Sequence, residues 1–161
     1  YSKSGYDRGH MAPNYAVGRC YGPEAQSETF YMTNIIPQTP KLNRQTWREL
    51  EMRIANDIAR KYETARVFVG PILSAPTRFM KNKIAVPVSC YAAIVVCDKA
   101  NGRLYGLGFI IPQNPAENSI WDYCVAIDEI EELTGIDFFH QLPDDIENEI
   151  EANADPSAFK D

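Results

Sequence analysis

Long apolar runs, paired cysteine motifs, internal repeats and a surplus of positive charge are all missing from this chain of 161 residues. No stretch approaches the roughly 18 apolar residues that span a bilayer, so a membrane-crossing helix is excluded. The four cysteines, Cys20, Cys90, Cys97 and Cys124, show no CxxC spacing, which argues against a structural zinc site. No helix-turn-helix, RNA-recognition motif or zinc module is present to read base edges. The chain begins at Tyr1 with a polar Tyr-Ser-Lys-Ser-Gly, not with Met or with a basic and then apolar leader. That start reads as a processed or truncated product. Histidine is scarce, with only His10 and His140 available for proton transfer near neutral pH.

What is there describes an ordinary globular domain, 45% hydrophobic and 24% charged, long enough to bury a real core. The net charge of −6 is unevenly spread. Residues 1–103 carry 15 Lys/Arg against 8 Asp/Glu, whereas residues 104–161 carry 1 against 14. The basic part suits a phosphate-rich polymer, and the acidic part is either a flank that limits unproductive binding or a plain solvated surface. The even cysteine count fits two disulfides, and a secreted or periplasmic location is the expectation. Four free thiols in a cytosolic protein remain the open alternative.

Residues 29–36 are rich in β-branched and aromatic side chains and predict a strand ended by Pro37. Thr39-Pro40 signals a helix start, and apolar spacing predicts a long helix from about Leu42 to Tyr62. Arg66–Val69 reads as a short strand stopped by Gly70-Pro71. Ile84–Cys97 and Arg103–Ile111 flank an Asn-Gly and predict a β-hairpin. A short strand near Tyr123–Ile127 leads to a helix capped by Asp128 and stopped at Gly135. An acidic helix is expected at about 144–154. Strands grouped around one long helix give an α+β domain on an antiparallel sheet, spanning 1–161.

Chemistry concentrates in Asp7-Arg8-Gly9-His10. A histidine can take a proton from water, an arginine can hold phosphate oxygens, and a glycine lets backbone approach a ligand. Residues two apart on a strand share a face, so Arg8 and His10 point together while Asp7 turns away in a structural role. About thirty residues on come Met32-Thr33-Asn34-Ile35-Ile36-Pro37-Gln38, then Leu42-Asn43-Arg44-Gln45-Thr46-Trp47 and Glu51. On a regular helix Asn43, Trp47 and Glu51 lie near one face, with Trp47 in the core. Asn43 and Glu51 are then roughly 12 Å apart along the axis. A magnesium ion held at Asn43, with ligands at about 2.1 Å, could reach Glu51 only through water.

In order and spacing this series resembles the DNA/RNA non-specific endonuclease family, whose members carry a ββα-metal (His-Me finger) active site. The close match covers about residues 6–73, and a looser one continues to Leu133–Phe139. The resemblance implies magnesium-dependent hydrolysis of DNA and RNA with 5′-phosphate ends, manganese being able to substitute. It implies His10 as general base, Asn43 as metal ligand, Glu51 orienting the metal's water shell, and Asn34 beside the active site. Arg8 faces the phosphate and stabilises the transition state. Asn34 fixes His10 or a phosphate, or else only caps a turn. His140, in an apolar setting, is read as structural.

Arg44 and Arg48 are like charges at i and i+4, a mild penalty that a nearby phosphate backbone would offset. With Arg19, Lys41 and Lys3 they are candidates for sequence-independent phosphate contact, or simply solvated charges. The resemblance also implies one or more strands and a further arginine upstream of Asp-Arg-Gly-His, where this chain has six residues. Expected partners are DNA and RNA, with a protein inhibitor conceivable, and no membrane. The main rival is a protein of the same fold that binds nucleic acid or a partner without cleaving. A phosphodiesterase of small substrates is less favoured, because the basic residues spread over positions 3–66.

Overall fold

A computed structural model describes residues 1–81 and 83–160. Its centre is a four-stranded antiparallel sheet in the order β3-β6-β7-β8, formed by Thr64–Ile72, Ser89–Cys97, Leu104–Pro112 and Cys124–Val125. The period-2 alternation of a strand divides the two long central strands between the sheet's faces. On one face Cys90, Ala92, Ile94 and Val96 stand beside Ile111, Phe109 and Leu107 and pack on Leu42, Trp47, Leu50 and Ile58 of the long helix and on Tyr62 just after it. On the other, Tyr91, Ala93 and Val95 meet Ile127, Ile130, Phe138, Phe139 and Ile150. Both faces are thus covered, which is why β6 reads as a near-continuous apolar run.

Two shorter pairs complete the sheets. β1 (Asp7–His10) pairs antiparallel with β2 (Ile35–Gln38), and β4 (Arg78–Met80) with β5 (Ile84–Val86). Two short helices, Asn14–Tyr21 and Pro23–Glu28, lie between β1 and β2.

The long helix runs over residues 40–61 and starts as the Thr39-Pro40 signal predicts. The Thr39 hydroxyl accepts the Leu42 N–H at 3.2 Å, and Pro40 occupies a position where no helix bond is lost. It contains two π-type segments, Leu42–Thr46 and Ile54–Ile58. An i→i+5 turn takes one more residue than an α turn.

Several boundaries differ from expectation. Residues 29–34 form a turn and a 3-10 segment rather than strand, because the Asn34 side chain folds back on the Thr29 carbonyl. β2 then runs through Pro37. The Pro37 carbonyl accepts from buried Gln113 at 2.7 Å, so its missing N–H removes no bond to β1. β3 likewise continues through Gly70-Pro71 to Ile72. A Cβ on Gly70 would lie 2.6 Å from the Tyr91 hydroxyl, so glycine serves close packing there and does not stop the strand. The first arm of the expected hairpin is split at Pro87 into β5 and β6. The hairpin itself holds, closed by Asp98, which accepts from the Ala100 and Asn101 amides.

The helix Ile127–Thr134 is capped at Ala126, whose N–H donates to Glu129, rather than at Asp128. It ends at Gly135 in the left-handed conformation (φ 69°), as expected. The acidic helix spans Asp144–Glu151. It approaches β7 so closely that a Cβ on Gly106 would sit 2.3 Å from the Ile150 carbonyl oxygen.

Candidate active site

β1 carries Asp-Arg-Gly-His, and its two faces do different things. The Gly9 side turns inward. A Cβ there would fall 2.2–2.6 Å from the Gln38 side chain, which is fully buried and donates to the Cys90 sulfur at 3.4 Å. Asp7 shares that face and meets the first turn of the long helix. One oxygen accepts from Asn43 Nδ2 at 3.1 Å and from Arg44 Nε at 2.8 Å, and the other accepts from the Arg44 terminal nitrogen at 2.8 Å. This fork holds the Asp7 carboxyl below its usual range, the Arg44 hydrogen bonds being the largest cause. Asp7 was expected to turn away from the site. It does turn away from Arg8, but toward the metal-ligand candidate.

A carboxylate can only accept hydrogen bonds, so Asp7 fixes which end of the Asn43 amide faces it. The NH2 group is taken, and Oδ1, the atom able to bind a cation, is turned away from Asp7. Asn43, Asp7, Arg8 and Arg44 line an open cleft of about 540 Å³ with Tyr1, Ser2 and Tyr6. The Arg8 guanidinium stands 5.7 Å from the centre of the Tyr1 ring.

His10 follows Arg8 on the same strand face, about 6.6 Å along the chain direction. Phe30 packs edge-on against its ring, with centroids 5.0 Å apart. Its Nε2 is buried and without a hydrogen-bond partner, and desolvation lowers its pKa below the ordinary 6.5. The imidazole is therefore neutral at pH 7, with a free lone pair or a free N–H at Nε2 according to tautomer.

Asn34 serves the segment that leaves His10. Its Oδ1 accepts the Ala12 N–H at 2.8 Å, and its Nδ2 donates to the carbonyls of Ala12 and Thr29, each at 3.0 Å. Its own carbonyl accepts from the Met11 N–H. With both amide hydrogens committed to backbone, Asn34 brackets the chain after His10 and has no donor left for a phosphate.

Glu51 is not brought to the Asn43 cleft. With Trp47, it lines a separate, mostly apolar cavity of about 320 Å³ beneath Met11, Ala12 and Pro13. The π segment Leu42–Thr46 changes the rotation between Asn43 and the residues that follow it on the helix. Burial pushes the Glu51 carboxyl up to about 7, and the Trp47 indole beside it opposes this only in part. Trp47 itself is core, as expected.

The remaining cations are spread along the surface. Arg48 is exposed on the long helix. Arg19 donates to the Tyr15 hydroxyl at 3.0 Å. Lys41 stands 4.0 Å from Glu117. Arg44, expected to be free for phosphate and repelled by Arg48, is instead neutralised in part by Asp7. His140 is exposed beside buried Phe138 and Phe139, with Nδ1 3.4 Å from the Asp137 carbonyl. The four cysteines are unpaired thiols, the second of the two states their even number left open. Sequence reading missed the exposed aromatics Tyr21, Phe30 and Tyr31, 63–78% exposed, although the Phe-Tyr-Met run next to Asn34 carried the signal.

The chain is 37% identical over 165 residues to a nuclease of Nostoc sp., an alignment covering 96% of this chain and 58% of that protein. It is 33% identical to the mitochondrial nuclease EXOG of Xenopus laevis, covering 90% and 44%, and 29% identical to human mitochondrial endonuclease G, covering 86% and 50%. The chain thus spans about half the length of the curated relatives it matches. Its structure superposes with a TM-score of 0.75 and 30% identity on a chain of the EndoG/EndoGI complex, a crystal structure described as showing the mechanism of EndoG inhibition, covering 89% of this chain and 62% of that one. No helix among the described residues is long and apolar enough to cross a membrane. Residues 1–145 match the model of the DNA/RNA non-specific endonucleases, and the chain belongs to that family.

Proposed function

We propose that this chain carries the catalytic centre of a metal-dependent, sugar-non-specific endonuclease that hydrolyses phosphodiester bonds of DNA and RNA. The observation that supports it best is the pair of preset groups on β1 and the long helix. One is a neutral, half-buried His10 with an unpartnered ring nitrogen; the other is an Asn43 amide whose orientation Asp7 dictates.

His10 takes the proton of the attacking water. Its lowered pKa keeps it in the accepting form at neutral pH. Arg8, unpaired with any acid among the described residues and lining the open cleft, places a permanent positive charge against the non-bridging phosphate oxygens. Asn43 offers Oδ1 to a hard cation, and the oxygen-only chemistry suits magnesium, with manganese as substitute. When bound, such an ion supplies positive charge to the phosphate and the leaving oxygen. Glu51, eight residues on from Asn43 and lining the neighbouring cavity, would act on such an ion only through its water shell. Arg48, Arg19 and Lys41 provide contacts to the backbone of the polymer without reading bases.

A protein inhibitor that covers the cleft is proposed as a partner, by analogy with the inhibition named for EndoG. A secreted or periplasmic location remains a proposal, since it no longer has disulfides to support it. One cleft for both sugars makes a direct prediction: unlabelled RNA should inhibit cleavage of labelled DNA competitively, and DNA should do the same to RNA. Independent, non-competing cleavage contradicts a single sugar-non-specific site.

A further inference from the structure

The helices Ile127–Thr134 and Asp144–Glu151 lie across the sheet from the catalytic helix, and they bring together charges of one sign. Oxygens of Asp128, Glu131 and Glu151 lie within 4.8 Å of one another. Glu147 and Asp137 also face Glu151, and no basic group is among the charges that act on it. Arg103, which lines a cavity with Ile150, is paired with exposed Glu149 at 3.2 Å.

Crowded carboxylates on a solvated surface would be unremarkable, but Glu151 is not solvated. It is 5% exposed, and its Oε1 is buried with no hydrogen-bond partner. Glu147 Oε1 is orphaned in the same way. A buried acceptor left unmatched costs about 1–3 kcal/mol, more when charged. An apolar residue at this position would avoid the cost. Glu131 is oriented as well, one oxygen accepting the Phe138 N–H at 2.8 Å. Asp128 and Glu131 are half-buried, so the group opens to solvent on one side.

We propose that Asp128, Glu131 and Glu151 form a second divalent-cation site, of the class that suits calcium, distinct from the Asn43 cleft. Two oxygens on opposite sides of a calcium ion lie about 4.8 Å apart, given ligand distances near 2.4 Å, so the three groups can reach one ion with little movement. Three carboxylates at fixed positions favour calcium, which accepts irregular sets of six to eight oxygens, over magnesium, which keeps most of its water. The ion bridges the two helices and fastens both to β7, where Gly106 and Gly108 let them approach. Its role is structural: it ties down the acidic end of the chain without entering the reaction.

The alternative is that the carboxylates share protons, since burial and the four facing acids push Glu151 up to about 7. Thermal unfolding at pH 7.5 with EDTA, calcium chloride or magnesium chloride separates the two. It is done in an Asn43→Ala background, so that the catalytic cleft contributes nothing. The expected result is a calcium-induced rise in Tm of about 5 °C or more at ~100-fold excess over Kd. Magnesium should give a smaller rise, and the calcium effect should be lost in Glu151→Gln. Asp128→Asn, on the solvent side, should weaken the calcium effect and serves if Glu151→Gln does not fold. No calcium shift, or an equal shift in both variants, overturns the site.

Discussion

Asp7 accepts the Asn43 amide at 3.1 Å with the same carboxylate that forks onto Arg44, so a single acid sets the orientation of the metal-ligand candidate. Asp7→Asn keeps the size but can present an NH2 group to Asn43, which releases the amide to rotate. The expected outcome is a 10–100-fold higher magnesium requirement, in the range typical of groups that orient a metal ligand, with smaller loss at saturating metal. Rate against magnesium concentration reads this directly. An unchanged midpoint would show that Asp7 only braces the helix.

His10→Ala should lower the rate about 10²–10⁴-fold while leaving nucleic-acid affinity unchanged, because the base acts only in the chemical step. The wild-type enzyme should also hold its rate into mildly acidic solution. Desolvation places the His10 pKa below 6.5, so the acidic limb of the pH–rate profile should fall below that value. A limb centred above 6.5 would assign the titration to another group.

Gly9→Ala tests the inward face of β1. The added methyl group would lie 2.2–2.6 Å from the fully buried Gln38 side chain, which must shift to admit it. A loss of about 1–3 kcal/mol is expected, lowering Tm by several degrees in a chain of this size. A Tm within a degree of wild type would show that Gln38 can move aside.

Glu51 is held above its ordinary value, up to about 7, by burial. Its contribution to stability is therefore fully present below the unfolded value near 4.5 and is lost as pH rises through 7. One such proton accounts for a slope of at most about 1.4 kcal/mol per pH unit. Glu51→Gln should flatten unfolding free energy between about pH 4.5 and 7, and an unaltered slope there would place the titration elsewhere, Glu151 being the other carboxyl raised to about 7.

Much of this was legible in the residues, for identifiable reasons. Thr39-Pro40 and the apolar spacing announced the long helix because capping and periodicity are local. The β6–β7 hairpin showed through its Asn-Gly loop for the same reason. What did not show was set by distant partners. Pro37 sits inside a strand because Gln113, 76 positions away, takes its carbonyl. Gly70 looks like a stop signal until Tyr91 is seen across from it. In the site, Arg8 and His10 share a face as alternation requires. The Asp7–Asn43–Arg44 junction and the cavity that takes Glu51 depend on how β1 and the segment after it meet the helix, contacts that no spacing rule reveals. The buried acidic group between the last two helices read, in sequence, as a solvated flank.

The central claim is tested most directly by incubating the purified chain with supercoiled plasmid and with single-stranded RNA, in magnesium and in EDTA, beside His10→Ala. The account predicts that both substrates are degraded, that EDTA stops both reactions, and that His10→Ala cuts both about 10²–10⁴-fold more slowly while still binding them. Cleavage near the wild-type rate in His10→Ala or in EDTA, or a folded chain that binds both substrates and cuts neither, contradicts it.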